Sequence, residues 1–462
     1  MGDKMHERQD LTQGSMLRHV ILFSLPMLLG NLLQALYNTV DSIWVGKFLG
    51  PEALGAVSVS GPVIMVLVSS LMGLTMATTV LVAQYWGAKR PEMVKRTINN
   101  TFFLLSIAAI VLTILGIRFN EAILRLINTP EEILPMASSY LNIYLLGLIF
   151  MFGYNVTSAI LRGLGDSNTP LKFLALATVI NIILDPLLIL GIGPFPRMEV
   201  AGAALATTLA QGISFIAAAG YLNKQGHLLS VNLKEFKFDK DLTLKTIQIG
   251  IPSGIQMSVV SIGALVVNSI INTFGTDTVA SFGMASRLDQ FAMMPSQSIS
   301  MATSAIAGQN IGAGKEENVK DTVKWATFLA VGIASMMTLI AQLTPATLLS
   351  LFTSDEMLLE LGKGHLRILS LGYVPMALMF ITNGLLRGAG DTFPTMLFSI
   401  ASLWVIRVPL AKALSSIPSL GANGIWIAMV TSSVLSMLMS RIYYASGRWK
   451  EKQILAEIPT AE

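Results

Sequence analysis

Apolar residues along this chain fall in long blocks, with no short-period alternation of apolar and polar positions. Runs of about 18 or more mostly apolar residues recur roughly every 35–40 positions, the length that about 20 helical residues need to cross a bilayer. The pattern predicts twelve spanning helices, near 19–45, 52–84, 96–117, 135–158, 169–192, 200–222, 245–272, 277–309, 324–345, 364–386, 395–415 and 422–444. The fold class expected is therefore an all-α polytopic membrane protein. A polar tail (1–18) comes first, then a six-helix N-lobe (19–222), a lysine-rich linker (223–244), a six-helix C-lobe (245–444) and a second tail (445–462). Pro26, Pro62, Pro252, Pro295, Pro375 and Pro409 lie inside these helices, where each removes a backbone hydrogen bond and offers a hinge.

The two lobes repeat one another. Gln84-Tyr-Trp-Gly-Ala-Lys recurs as Gln309-Asn-Ile-Gly-Ala-Gly, and Leu-Arg-Gly-Leu-Gly-Asp at 161–166 recurs as Leu-Arg-Gly-Ala-Gly-Asp at 386–391, both at a shift of 225. Six helices per repeat is an even number, so the copies insert with one orientation and relate by an axis along the membrane normal. Such a pair of lobes suits alternating access.

Polar residues inside the blocks mark candidate chemistry. In the first helix Gln34, Tyr37, Asn38 and Asp41 form a stripe at helical spacing, and Ser42-Ile43-Trp44-Val45 carries the apolar run past the acid. An ionisable side chain at such a depth costs roughly 2.5–3.5 kcal/mol on insertion scales and usually faces a cavity. Helix 5 brings Asn181 and Asp185 to one face, with Thr178 a turn earlier. Asp41 aligns within a residue of Val267, and the counterparts of the helix 5 pair, near Trp404 and Val408, are not acidic. The expectation is that embedded carboxylates belong to the first lobe alone. Desolvation and a like charge nearby both favour the protonated form of a carboxyl group, which proton exchange requires.

Composition agrees with a bilayer setting: 53% hydrophobic residues, 13% charged and a mean hydropathy of +0.65, against about 25% charged in soluble domains. Of the 31 Lys and Arg, 22 fall on the side holding both termini, eight on the other, and Arg287 lies within a helix. The positive-inside rule puts both termini in the cytoplasm. The net charge of +4 is spread over short loops, so no nucleic-acid patch exists. With no cysteine and four histidines read as scattered through tails and loops, no metal site and no cofactor are expected.

Other motifs read as structural. The paired loops Arg162-Gly-x-Gly-Asp166 and Arg387-Gly-x-Gly-Asp391 build tight turns. Their match to the GxGD signature of intramembrane proteases fails, because it lies in a loop, occurs twice and lacks a Tyr-Asp partner. Arg287 and Asp289 are read as pairing with one another or with backbone. Of 25 methionines, Met257, Met284 and Met293 are read, with Arg287, as a soft wall for varied substrates.

The two RGxGD loops, the loops Gly87-Ala-Lys-Arg90 and Gly312-Ala-Gly-Lys315, Asp41 and Asn181-x-x-x-Asp185 make the chain resemble the multidrug and toxic compound extrusion (MATE) family, most closely its DinF-like bacterial and archaeal branch. The resemblance implies a non-enzymatic antiporter in a prokaryotic cytoplasmic membrane, working as a monomer. It would export organic cations or amphipathic compounds against inward protons, or against sodium bound at Asp41 and Asp185. It places the family's first-lobe cation site on Asp41, Asn181 and Asp185, adds Asn155, and brings in Thr207 or Thr208 without a choice between them. The family's other branch carries acids on helices 7 and 10; here Gln256 and an apolar run at 376–381 stand in those regions. A flippase for lipid-linked precursors is the alternative, and asks for a more cationic cleft than Arg287 provides.

Overall fold

The computed structural model describes residues 10–224 and 238–452; the ends of both tails and most of the linker lie outside the described residues. Twelve long helices follow one another: α1 (Met16–Leu49), α2 (Pro51–Gly87), α3 (Pro91–Leu126), α4 (Leu134–Gly163), α5 (Asn168–Leu190), α6 (Glu199–Lys224), α7 (Lys240–Asn272), α8 (Thr276–Gly312), α9 (Glu316–Leu343), α10 (Glu356–Ala389), α11 (Phe393–Ser415) and α12 (Asn423–Ala445). Among the described residues eleven are long and apolar enough to cross a membrane, and α8, rich in Ser, Thr and Gln, is too polar for that measure.

Most helices outrun their expected ends, because charged first turns end a hydropathy window without ending a helix. Helix α9 starts at Glu316 and α10 at Glu356, each eight residues before the expected start. The start of α10 is capped by Asp355, whose carboxylate accepts from the Met357 and Leu358 amides at 2.9 and 3.2 Å. Two helices are locally irregular. A 3₁₀ turn at Ser370–Gly372 interrupts α10, and a π-helical stretch at Ala401–Arg407 precedes Pro409 in α11, where the proline withholds a backbone donor.

The outer surface differs from that of a soluble protein. Large apolar side chains such as Ile114 on α3 and Phe328 and Leu339 on α9 are exposed, as lipid-facing surfaces require. Small hydroxyl residues fill the interior: Ser296, Ser298, Ser300 and Thr303 of α8 are buried, and Ser298 and Thr303 donate to the carbonyls of Met294 and Ile299, both at 2.8 Å.

The chain forms two compact units, and the division falls inside helices. One unit holds Pro26–Gly254; the other holds Leu11–Leu25 and the chain from Ile255. The N- and C-lobes expected at 19–222 and 245–444 are thus corrected at their edges. Helix α1 opens in the second unit and passes to the first at Pro26, while α7 opens in the first and leaves it beside Pro252. Each opening is anchored in its host. In the second unit Asn310 Nδ2 and Lys315 Nζ donate to the carbonyls of Leu11 and Thr12, at 3.0 and 2.7 Å. In the first, Arg96 pairs with Asp239, and Asn100 Oδ1 accepts from Thr243 Oγ1 at 3.1 Å. Gly73 of α2 meets α7 so closely that an added Cβ would lie 2.2 Å from the Gly250 carbonyl oxygen. The tail expected over 1–18 therefore ends earlier, with Leu11 fully buried.

The glycines of the RGxGD loops divide their work. Gly165 and Gly390 turn the chain at φ +91 and +88. Gly163 and Gly388 let helices touch: an added Cβ would lie 2.9 Å from the Thr79 carbonyl oxygen and 2.6 Å from that of Ser304. Asp166 caps α5, accepting from the Asn168 and Thr169 amides at 3.1 and 2.9 Å, and Arg387 donates to Ser300 Oγ at 2.7 Å. Arg407 sits within α11 and donates to Ser432 Oγ at 2.7 Å.

Candidate functional site

In the first unit four helices deliver polar side chains to one buried place. Helical spacing sets Tyr37 and Asp41 on the same side of α1, and Asn181 and Asp185 on the same side of α5. Tyr140 and Tyr144 come from α4 and Thr207 from α6. Asn181 Nδ2 donates to Asp185 Oδ1 at 3.1 Å, and both residues have no exposed surface. Asp41 and Asp185 lie within electrostatic range of one another, and both act on Tyr37 and Tyr140. A packed apolar shell that includes Val45, Ile189, Val200 and Ala203 surrounds Tyr140.

Several polar atoms of this cluster have no hydrogen-bond partner. They are Asp41 Oδ1, Asp185 Oδ2, Asn181 Oδ1 and the Tyr37 hydroxyl, the last lying beside Thr207 without closing a bond. A buried polar atom left unpaired costs about 1–3 kcal/mol, and three of these four are pure acceptors. The arrangement is short of positive charge, and a proton or a small oxygen-seeking cation would relieve it. Among the described residues no group of three or more His, Cys, Asp or Glu is placed to hold a metal ion.

The sequence-predicted residues separate into those in the cluster and those outside it. Gln34 and Asn38 are exposed and bond to each other at 3.3 Å, Asp41 is half-buried and Tyr37 is buried. The polar stripe read from the sequence runs from an exposed edge at Gln34 and Asn38 to a buried edge at Tyr37. Asn155 donates to the Met151 carbonyl of its own helix at 2.9 Å, and Thr178 to that of Leu174 at 2.9 Å. Thr208 faces α4, where its hydroxyl reaches the Ile143 carbonyl at 3.5 Å, which leaves Thr207 as the α6 hydroxyl at the cluster. Met257 and Arg287 are exposed and Met284 is half-buried, but Met293 is 5% exposed and packed away. Gln256 donates to Ser399 Oγ at 2.8 Å.

The second unit corrects three expectations. Embedded carboxylates are not confined to the first lobe, Asp289 does not pair with Arg287, and not all histidines lie in tails and loops. Asp289 of α8 binds His365 Nε2 through Oδ2 at 2.6 Å and accepts from the Tyr373 hydroxyl through Oδ1. His365 is 1% exposed, and its Nδ1 has no partner. Its ring meets Phe282 and Trp426 edge to face, at centroid distances of 5.6 and 4.5 Å. Two signals pointed here: the spacing of Arg287 and Asp289, two apart and hence on different helix faces, and the start signal Thr-Ser-Asp355 ahead of a helix that already contains His365.

Comparison with known proteins agrees with this architecture. A model of the family MatE matches the chain twice, over residues 26–187 and 252–412, once per repeat. The chain is 34% identical over 449 residues to "Probable multidrug resistance protein YpnP" of Bacillus subtilis (strain 168), covering 97% of this chain and 99% of the relative. Among solved structures, the crystal structure of MATE in the bent conformation shares 25% identity and a TM-score of 0.89 over 98% of both chains. The crystal structure of MATE in the straight conformation shares 26% identity and a TM-score of 0.88, over 96% of this chain and 98% of its own.

Proposed function

This chain belongs to the MatE family of multi-pass membrane transporters, and on that premise we propose that it is a multidrug efflux antiporter. It exports organic cations and amphipathic compounds in exchange for protons entering the cell, by alternating access. It works as a monomer in a prokaryotic cytoplasmic membrane, with both termini inside. The relative from B. subtilis, named as a multidrug resistance protein, supports the substrate class.

The observation that carries the coupling reading is the first-unit cluster. Asp41, Asp185 and Asn181 each hold an unpaired acceptor atom, Asn181 and Asp185 are fully buried, and the two carboxylates lie within electrostatic range of one another. Bringing a proton there neutralises one carboxylate, and losing it restores the mutual repulsion. The proton moves down its gradient and gains roughly 2.3 kcal/mol per 100 mV for a charge crossing the whole membrane, enough to shift a two-state equilibrium by well over tenfold. The exposed polar edge of α1, with Gln34 and Asn38, supports a water-accessible path alongside it, since polar side chains in a span avoid lipid. Pro26 lies where α1 passes between units and withholds a backbone hydrogen bond there, which supports a hinge in that helix; solved relatives are described in bent and in straight conformations.

The test uses purified protein in liposomes loaded with a cationic dye. An imposed pH step should drive dye movement and a sodium step at constant pH should not. Movement driven by sodium alone would assign the cluster to that ion, and no movement under either gradient would remove the antiporter reading.

A further inference from the structure

We infer that Asp289, His365 and Tyr373 form a second proton-binding site, in the second unit, that gains and loses one proton during transport. The inference rests on the coupling role proposed above, but concerns different residues. Its geometry is that of a loaded acid–base pair. The Asp289 carboxylate has both oxygens engaged, one by the Tyr373 hydroxyl and the other by His365 Nε2 at 2.6 Å. With the imidazole neutral, Nε2–H donates to Asp289, and Nδ1 carries a lone pair that meets no partner in a fully packed surrounding. A proton delivered by water adds to Nδ1, giving an imidazolium beside a carboxylate and taking the net charge of the cluster from minus one to zero. The ring then presents its charge to Phe282 and Trp426, an arrangement aromatic faces favour.

Among the described residues of α8, α9, α10 and α12, no other charged side chain is seen to pair with this cluster. On α8, Asp277 and Arg287 are exposed. On α10, Glu356, Glu360 and Arg367 are exposed, Lys363 binds Glu360 at 2.8 Å, and Arg387 sits at the far end on Ser300. Every charged side chain of α9 is exposed, and on α12 Arg441 lies over Tyr444. The cluster's own proton therefore decides its charge. A newly protonated Nδ1–H lacks an acceptor in this conformation, so protonation asks α8 and α10 to shift until one is found.

The repeat supports the assignment independently. The shift of 225 that relates the two halves sets His365 opposite Tyr140, which lies within range of Asp41 and Asp185 in the first unit. The same position along the repeat thus carries a polar ring beside acids in both lobes.

The decisive measurement is proton uptake by the detergent-solubilised protein after a pH jump, alongside nitrogen NMR of the four histidines, with the His365 signal assigned by His365→Gln. The double variant Asp41→Asn/Asp185→Asn should retain one proton of uptake and a titrating His365. Adding Asp289→Asn should abolish that uptake, and Tyr373→Phe should shift the His365 titration midpoint while leaving the fold intact. Equal uptake in the double and triple variants, or an imidazole signal that neither titrates nor responds to Tyr373→Phe, would reduce the cluster to a structural staple and overturn the inference. Unchanged uptake and dye transport in the double variant would instead count against the first-unit coupling, and the two failures remain separable.

Discussion

Single side chains set the chemistry here through what they leave unpaired. Asp41 and Asp185 have acceptor atoms with no donor, so replacing either carboxylate by an isosteric amide removes a proton site with little effect on packing. Asp41→Asn and Asp185→Asn should reach the membrane in normal amounts and slow dye efflux at least tenfold; normal efflux from both would dismiss them as the coupling pair. Two methionines separate surface from core. Met257 is 39% exposed and Met293 is 5% exposed, so Met257→Ala should change which dyes are exported at constant melting temperature. Met293→Ala should lower the melting temperature by leaving a cavity, with the order of substrate preference kept. Opposite results would exchange their roles. Asp41, Asn181 and Asp185 were legible in the sequence because acids stand out in an apolar run. Which of the stripe's residues are buried was not legible, because an angular spread of a few residues separates exposed Gln34 and Asn38 from buried Tyr37. His365 was missed because it falls at the very edge of the span expected at 364–386, whereas the helix begins at Glu356 and carries it well inside.

Elements were easier to read than the contacts between them. Among the described residues, eleven of the helices are apolar blocks long enough to span and α8 is more polar; errors collect at ends, where Glu316 and Glu356 begin helices that hydropathy starts later. The glycine contacts needed the structure, since a glycine in a turn motif gives no sign that it also admits a neighbouring helix, as Gly163 and Gly388 do. Proline placement carries a prediction at this scale. Pro26 denies the Leu22 carbonyl its helical donor in a helix that stays continuous across it. Pro26→Ala restores that bond, which should raise the melting temperature and slow efflux several-fold while proton uptake persists. Efflux at the wild-type rate, with a higher melting temperature, would show that α1 does not need to bend.

At the scale of the whole molecule, the proposed orientation rests on the distribution of charge, and the cysteine-free sequence makes it easy to check. Lys89 and Phe195 are exposed in loops on opposite sides of the membrane by the topology read here. In intact cells Phe195→Cys should react with a membrane-impermeant maleimide and Lys89→Cys should not; the reverse pattern would invert the protein. The passage of α1 and α7 between units has a consequence for ancestry and for dissection. Each six-helix repeat lacks the opening turns of its own unit and holds those of the other, as in a pair of half-length chains that have traded their leading segments and then been joined end to end. Neither half is a finished object. Cut at residue 230, the two fragments should be degraded when expressed singly, and should reassemble into an active transporter when expressed together in one cell.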